Sequence, residues 1–177
     1  MKIIRGISIL ILVLLAIYFM GGVFLPKYHR ISKSIEIACA DSVVYQYVLD
    51  YQHFKHWSPW YRLEPQAQTT TMGVPGKPGY TYAWSGERVG KGKIELIKSS
   101  KNRAILQELT FYMPKPSIHQ NNLYVESTAP GQSRVSWIME GANEGFFERW
   151  MYFIYLNQSI GKDFENGLQH LKEVLEQ

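Results

Sequence analysis

Two histidines three residues apart, His53 and His56, are the first residues whose type and spacing could do chemistry. On a helical turn both rings would face the same side, and two imidazoles supply half of a tetrahedral zinc site. The sequence contains no His-Glu-x-x-His motif and no pair of cysteines to complete such a site. We therefore predict no metal site and interpret both histidines as solvated side chains beside Trp57.

Acid–base catalysis would need a carboxyl group turned inward. Glu108, Gln120, Asn122 and Glu126 are polar residues in strand-like segments, and an inward Glu108 with a raised pKa could donate or accept a proton. The alternating pattern instead gives the inner positions to its apolar neighbours, so we predict Glu108 on the outer face. No catalytic residue is assigned from the sequence.

The single cysteine and the glycines suggest no further chemistry. Cys39 cannot form an intramolecular disulfide, and no base lies at a useful spacing from it, so we interpret it as a small buried side chain. The glycines from Gly86 to Gly92 lie between strands, whereas a phosphate-binding loop precedes a helix. We predict no cofactor.

The element that must position the whole chain is an apolar segment near its start. Gly6 to Pro26 contains no charged residue, and as a helix it would be roughly 32 Å long, about the thickness of a bilayer core. A cleaved signal peptide is the alternative, but the end of the segment offers no Ala-x-Ala pattern. We predict residues 1–27 as a transmembrane anchor and residues 28–177 as a separate domain.

The domain begins with a strand and short helices and continues as strands. Ser34 to Ile37 alternates polar and apolar residues, Asp41 is a candidate N-cap for a helix reaching about Leu49, and Ser58-Pro59 ends a second helical piece. From about Thr69, strand patterns alternate with turn signals rich in Gly and Pro. This order predicts an α+β domain with an antiparallel sheet.

One face of that sheet is apolar and the other is charged. Three sets of apolar residues each share one face of a strand: Tyr80, Tyr82 and Trp84; Ile105, Leu109 and Phe111; and Val135, Trp137 and Met139. The opposite registers carry Lys93, Glu95, Glu108, Arg134 and Glu140. The pattern is typical of a sheet covered on one side.

The C-terminal segment is the predicted cover. Seven apolar residues three or four apart form one stripe of a long helix: Phe153, Leu156, Ile160, Phe164, Leu168, Leu171 and Leu175. The preceding segment, 146–155, is apolar almost all round, more than one helix face needs. This excess of apolar residues predicts that the segment is a mobile gate, a ligand wall or a patch that touches a membrane. The alternative is that the sheet and neighbouring loops bury the segment.

Charge argues against nucleic acid as a partner. Residues 1–33 hold five of the 19 Lys and Arg and none of the 15 acidic residues, which leaves 14 basic against 15 acidic residues in the remainder. Phosphate binding needs a basic patch, and no such cluster follows the anchor. The basic residues after the anchor are better interpreted as contacts to lipid headgroups or as ordinary flanking charges.

The order of these elements resembles the helix-grip superfamily, which includes StAR-related lipid-transfer (START) domains, birch-pollen-allergen-like proteins and the polyketide cyclase/dehydrase-like proteins known as SRPBCC. The residues that carry the resemblance are Ser34 to Val44, Asp50 to Trp60 with its Trp-Ser-Pro-Trp end, Tyr82 to Gly86 with Val89 to Gly92, and Ile160 to Leu168. Cys39 departs from the small residue or proline that such proteins usually have there. The resemblance covers roughly residues 31–176 and implies a helix-grip fold, with a curved antiparallel sheet wrapped on the C-terminal helix.

The resemblance also implies a cavity between sheet and helix that binds hydrophobic molecules. Its predicted wall is the inward aromatic and aliphatic set: Trp57, Trp60, Tyr80, Tyr82, Trp84, Phe111, Tyr124, Trp137, Met139 and Phe153. Many proteins of this kind have no known activity, so a fold alone assigns no reaction.

Three functions fit the sequence. The first is a membrane-tethered domain that binds a lipid, quinone or polyketide-like molecule without catalysis. The second is a cyclase- or hydrolase-type enzyme, which would need Glu108 or a histidine buried in the cavity beside another titratable group. The third is an interaction module that docks a protein partner through residues 146–155. We expect the first, in a bacterial inner membrane with the domain on the periplasmic side.

Overall fold

The computed structural model describes residues 2–113 and 115–177. Its first element is the 23-residue helix α1 (Lys2–Phe24), about 34 Å long. Among the described residues it is the one helix long and apolar enough to cross a membrane, a criterion of length and composition that a signal sequence or a core helix can also meet. Its side chains are exposed along most of its length, and Gly22 near its end is buried.

Seven antiparallel strands form one sheet. They are β1 (Tyr28–Ile37), β2 (Gln68–Met72), β3 (Thr81–Ser85), β4 (Lys91–Ser100), β5 (Ala104–Met113), β6 (Ser117–Ala129) and β7 (Gln132–Ala142). Their spatial order is β1-β7-β6-β5-β4-β3-β2. Strands β2 to β7 thus form a meander, and β1 pairs with β7 at the edge opposite β2.

Helices occupy the two connections that the sequence indicated. Between β1 and β2 lie α2 (Asp41–Leu49), a 3₁₀ turn (Tyr51–His53), α3 (Phe54–Trp57) and α4 (Pro59–Leu63). After β7 come α5 (Phe146–Met151), a π-helical turn (Tyr152–Leu156) and α6 (Asn157–Leu175). Asp41 begins α2 rather than capping it, because the N-cap position is Ala40 and no side chain caps this helix.

The core lies between one face of the sheet and α6. Phe164, Leu168 and Leu171 of α6 are fully buried, and the Phe164 ring stacks on Trp137 of β7 at 4.1 Å between centroids. The charged residues expected on the outer face, Lys93, Glu95, Glu108, Arg134 and Glu140, lie in the registers that alternate with buried positions. The predicted α+β helix-grip architecture is confirmed.

A chain of buried polar side chains runs through this core. The Trp137 indole N–H donates to Asn121 Oδ1 at 2.7 Å, and the Asn121 amide donates to Gln107 Oε1 at 2.9 Å. The Gln107 amide in turn donates to the Tyr51 hydroxyl at 3.0 Å. Because buried polar groups are costly without partners, these bonds specify how the sheet and the helical connection fit together.

The strand pairings show which end of the sheet lies beside α1. Three connecting residues separate α1 from strand β1, which starts at Tyr28. Tyr28 pairs with Ala142 at the end of β7. The antiparallel order then brings the start of β6, the end of β5, the start of β4 and the end of β3 to the same end of the sheet. We call this the α1 end.

Candidate functional site

A mostly apolar cavity of about 270 Å³, partly open to solvent, lies in the half of the domain at the α1 end of the sheet. This volume is just below the usual range for small-molecule sites. The cavity lies between β2 to β5, α3, α4 and the first turns of α6. Its lining residues are Phe54, Ser58, Trp60, Tyr61, Leu63, Ala67, Thr69, Tyr82, Trp84, Arg88, Val89, Ile94, Leu109, Phe111 and Asp163.

Trp84 and Phe111 form an aromatic wall of the cavity across three strands. Their rings meet edge to face at 5.8 Å although β4 lies between their strands. Gly92 of β4 makes this approach feasible, because a Cβ at that position would overlap the Trp84 indole. The Trp84 N–H donates to the carbonyl of Val89 at 3.1 Å, which fixes the ring.

The buried carboxylate of Glu64 stabilises the β3–β4 loop, which forms another wall of the cavity. Glu64, just after α4, accepts hydrogen bonds from the backbone N–H groups of Glu87, Arg88 and Val89 at 2.9, 2.9 and 3.0 Å. These bonds, led by that from Val89, lower the pKa of Glu64. The Arg88 guanidinium donates to the carbonyl of Leu63 at 3.1 Å. The β3–β4 loop is thereby fastened to α4, and Glu64 acts as a structural group.

Asp163 of α6 is the carboxyl group that lines the cavity. Its Oδ2 accepts a hydrogen bond from the Trp60 indole at 3.2 Å. Burial raises the pKa of Asp163, and the bond from Trp60 partly opposes that shift. Burial also raises the pKa of Tyr82 to about 12. The cavity thus combines aromatic walls with a few polar groups that could orient a ligand.

Four of the ten predicted wall residues line this cavity: Trp60, Tyr82, Trp84 and Phe111. Four others, Trp57, Tyr80, Trp137 and Met139, are fully buried in the core. Trp57 and Trp137 border a crevice of only about 10 Å³, too small for a ligand. Tyr80 stacks on Tyr51 at 4.6 Å and donates to Asp50 at 2.7 Å. Contact of any of these residues with a ligand remains a prediction.

The other two predicted wall residues need correction. Tyr124 lies between the fully buried Leu123 and Val125 in β6, so strand alternation turns it to the outer face. Phe153, in the π-helical turn that precedes α6, is 64% exposed and is not among the residues that α6 buries. Neither side chain lines the cavity.

A histidine pair, His29 buried and His119 half-buried, lies on the inner face beside the cavity. The rings of His29 and His119 are 5.4 Å apart, and Tyr152 stacks on His29 at 4.6 Å. Burial lowers the pKa of both histidines, that of His119 to about 4. Phe111 lies between His119 and the cavity, with 6.0 Å between the two rings. The pair borders the cavity but does not line it.

The candidate groups considered first lie elsewhere. His53 stacks on Tyr47 at 4.3 Å, and His56 Nδ1 is 3.0 Å from the Tyr47 hydroxyl, so both rings are engaged by one tyrosine. Within the described residues no cluster of three or more His, Cys, Asp or Glu side chains could hold a metal. Glu108 lies on the outer face, in an open groove of about 910 Å³. Cys39 is half-buried and packs against the core.

The sequence reasoning missed Asp163, Arg88 and Val89 as cavity residues. Asp163 precedes Phe164 and follows Ile160 by three residues, so a helical projection places it beside the apolar stripe and could have identified it. No sequence pattern marked the two loop residues, Arg88 and Val89, as cavity residues. Their position depends on the contact between Glu64 and the β3–β4 loop, which joins segments more than 20 residues apart.

No family model matches the chain, and no curated protein is significantly similar to it in sequence. Solved structures are similar in fold. The Aha1 dimer of Colwellia psychrerythraea matches with a TM-score of 0.60 and 17% identity, over 84% of this chain and 96% of that chain.

Two further solved structures have the same fold. CalU16 of Micromonospora echinospora matches with a TM-score of 0.58 and 10% identity, over 84% of this chain and 76% of that chain. DynU16, from the dynemicin biosynthetic locus, matches with a TM-score of 0.59 and 10% identity, over 85% of this chain and 48% of that chain. At such identities the similarity shows the fold, and function depends on the site.

Proposed function

We propose that this chain is a membrane-tethered domain that binds one hydrophobic small molecule, a lipid, quinone or polyketide-like compound, without catalysing a reaction. The observation that carries the proposal is the apolar cavity of about 270 Å³ at the end of the sheet beside α1. A molecule that leaves the bilayer next to α1 would reach this half of the domain first.

The proposed tether is α1, which would cross a bacterial inner membrane. Residues 28–177 would form the domain on the periplasmic side. Its exposed Ile, Leu, Val and Phe side chains favour an apolar environment, because water would make their exposure costly. Lys27 lies three residues after the end of the helix, where anionic headgroups would lie. A tether of this kind would hold the cavity close to a source of apolar ligands.

An enzyme using the same cavity is the second candidate, and Asp163 is the observation in its favour. A carboxyl group with a raised pKa in an apolar cavity can act as a general acid or base. The other ionisable side chains of the lining are Tyr61, Tyr82 and Arg88, and none of them is a carboxyl or imidazole group that could form an acid–base pair with Asp163. The lining therefore favours binding.

A matched pair of substitutions tests the cavity. Thr69 and Thr70 are neighbours in edge strand β2; Thr69 lines the cavity and Thr70 faces the opposite side. Native mass spectrometry of the full chain, released from detergent micelles in the gas phase, should show one apolar molecule on the wild-type protein. Thr69→Phe fills the cavity and should lower this occupancy at least severalfold, whereas Thr70→Phe should leave it unchanged.

Two results would contradict the proposal. Wild-type protein without a defined bound molecule, and unresponsive to added lipids and quinones, would exclude the binding function. Equal occupancy in the two variants would place the ligand outside this cavity. Turnover of the bound molecule that Asp163→Asn abolishes would establish the enzyme instead.

A further inference from the structure

The last turns of α1 pack closely against α5. The Phe146 ring lies against Gly22 and the Trp150 indole lies against Gly21, so that a Cβ at either glycine would overlap the ring. Because Gly21 and Gly22 have no side chains, they leave space for these two aromatic rings. We call this contact surface the glycine seat. Substituents as small as a methyl group would push the helices apart.

Hydrogen bonds join the same two helices. The Trp150 indole N–H donates to the carbonyl of Tyr18 at 3.1 Å, and the Arg149 guanidinium donates to the carbonyl of Gly22. Arg149 also donates to the carbonyl of Asn143 at 3.4 Å. Because close packing and directed bonds coincide, the position of α1 sets the position of α5.

The level of this contact along α1 determines how deep α5 lies. Trp150 meets α1 at Tyr18, eight residues and roughly 12 Å before the uncharged segment ends at Pro26. If the segment from Gly6 to Pro26 crosses a hydrocarbon core about 30 Å thick, this level is inside the leaflet next to the domain. The contact is thus below the surface of the membrane.

The surface of the segment from α5 to the π-helical turn suits hydrocarbon. Its charged residues are compensated, since Glu148 pairs with Lys115 and Arg149 donates to backbone carbonyls. Its helical backbone bonds are internal, as a lipid environment requires. The large exposed side chains of the segment are all apolar or aromatic: Phe147, Phe153, Ile154 and Tyr155.

We infer that Phe146–Leu156 is immersed in the leaflet next to the domain, with Phe147, Phe153, Ile154 and Tyr155 in contact with lipid acyl chains. The inference depends on the proposed tether but goes beyond it, because a tether alone could hold the domain in water above the membrane. Immersion explains why this segment is apolar on all sides while its large side chains remain outside the core.

Spin labels on the full chain in phosphatidylethanolamine and phosphatidylglycerol vesicles test the inference. In a Cys39→Ser background, a nitroxide is attached to Ile154→Cys, whose native side chain is 67% exposed. Two controls are Leu12→Cys in the middle of α1, 65% exposed, and Val43→Cys on α2 at the far end of β1, 52% exposed. Frequent collisions of the nitroxide with oxygen indicate that the label lies in lipid. Frequent collisions with a water-soluble nickel chelate indicate that the label is exposed to water.

The expected result is that the label at Ile154 resembles that at Leu12. Its ratio of oxygen to nickel collisions should exceed that at Val43 at least severalfold. Phe153→Cys repeats the measurement at an independent position in case one label disturbs folding.

Other outcomes overturn the inference in distinguishable ways. A label at Leu12 in lipid with labels at Ile154 and Phe153 in water would leave the tether intact and exclude immersion. Labels shielded from both reagents would indicate a protein partner or a second copy on this segment. Nickel access at all positions, Leu12 included, would exclude the tether and the immersion together.

Discussion

His29 and His119 show what burial does to individual residues in this fold. Both rings lie on the inner face of the sheet, and Gly141, their neighbour in the pairing, has no side chain that would push them apart. Nδ1 of His119 has no hydrogen-bond partner among the described residues, so a charge on the ring would be poorly solvated. The neutral form of the pair is therefore favoured in the folded protein.

Acid should destabilise the domain through His119. Its folded-state pKa is lowered from 6.5 to about 4, so between these values the unfolded chain binds a proton that the folded chain does not. The free energy of unfolding should fall as pH drops from 6.5 to 4, by on the order of 2 kcal/mol after a discount for partial exposure. Urea unfolding of the full chain in mild detergent, followed by tryptophan fluorescence, measures it.

His119→Gln should remove most of this fall, because glutamine does not titrate. His56→Gln, at an exposed position, is the matched control and should retain it. An unchanged pH profile in His119→Gln would mean that other groups cause the acid sensitivity.

At the scale of elements, the π-helical turn separates two helices with different surroundings. C-terminal to it, α6 buries Phe164, Leu168 and Leu171 in the core. N-terminal to it, α5 contacts the end of α1 and buries none of its own residues fully. The predicted apolar stripe is therefore fully buried only within α6, and Phe153 in the turn is exposed.

The glycine seat on α1 should decide whether α5 stays ordered. Gly22→Leu places a side chain where the Phe146 ring lies, and overpacking of this kind costs about 1–3 kcal/mol. Hydrogen exchange of the amides from Phe146 to Leu156 should accelerate roughly tenfold. Gly6→Leu is the control, because a Cβ added at Gly6 would have no atom of another part of the protein within 4 Å. This variant should leave the exchange rates unchanged. Equal exchange in both variants would show that the seat does not hold α5.

At the scale of the whole molecule, the chain brings helix α1 and the cavity to one end. The edge strand β1 follows α1 directly, and the antiparallel pairings align the cavity-bearing halves of β3, β4 and β5 with that end. The far end carries α2 and the β4–β5 turn instead. The polarity of the domain relative to α1 thus follows from sheet topology.

Membrane orientation can be measured with reporters fused to the C terminus. We expect a reporter that works only outside the cytoplasm to be active and a cytoplasmic reporter to be silent. Lys2 and Arg5 precede the apolar segment while Lys27, Arg30 and Lys33 follow it, so the charge bias is small. Lys2→Gln with Arg5→Gln should therefore shift a measurable fraction of chains to the opposite orientation. Activity of the cytoplasmic reporter in the wild type would reverse the predicted sidedness.

The sequence by itself determined the architecture, because local periodicity carries it. The uncharged segment of α1, the alternation in β5 and β7, and the spacing of Phe164, Leu168 and Leu171 each follow from which residues share one face of a helix or strand. Such patterns need only neighbours within a few residues.

Only the tertiary structure decided which aromatic residues line a cavity and which are core. Trp57 and Trp137 have the same residue type and the same inward direction as Trp84, yet contacts with α6 and with each other fill the space around them. Asp163 and Val89 reach the cavity through contacts between distant segments, Asp163 with Trp60 and Val89 with Glu64. Phe153 continues the spacing of the predicted stripe but lies in the π-helical turn, where its side chain is exposed, and no local pattern indicates this. The space left between elements depends on all of their packing at once, so residue periodicity cannot predict it.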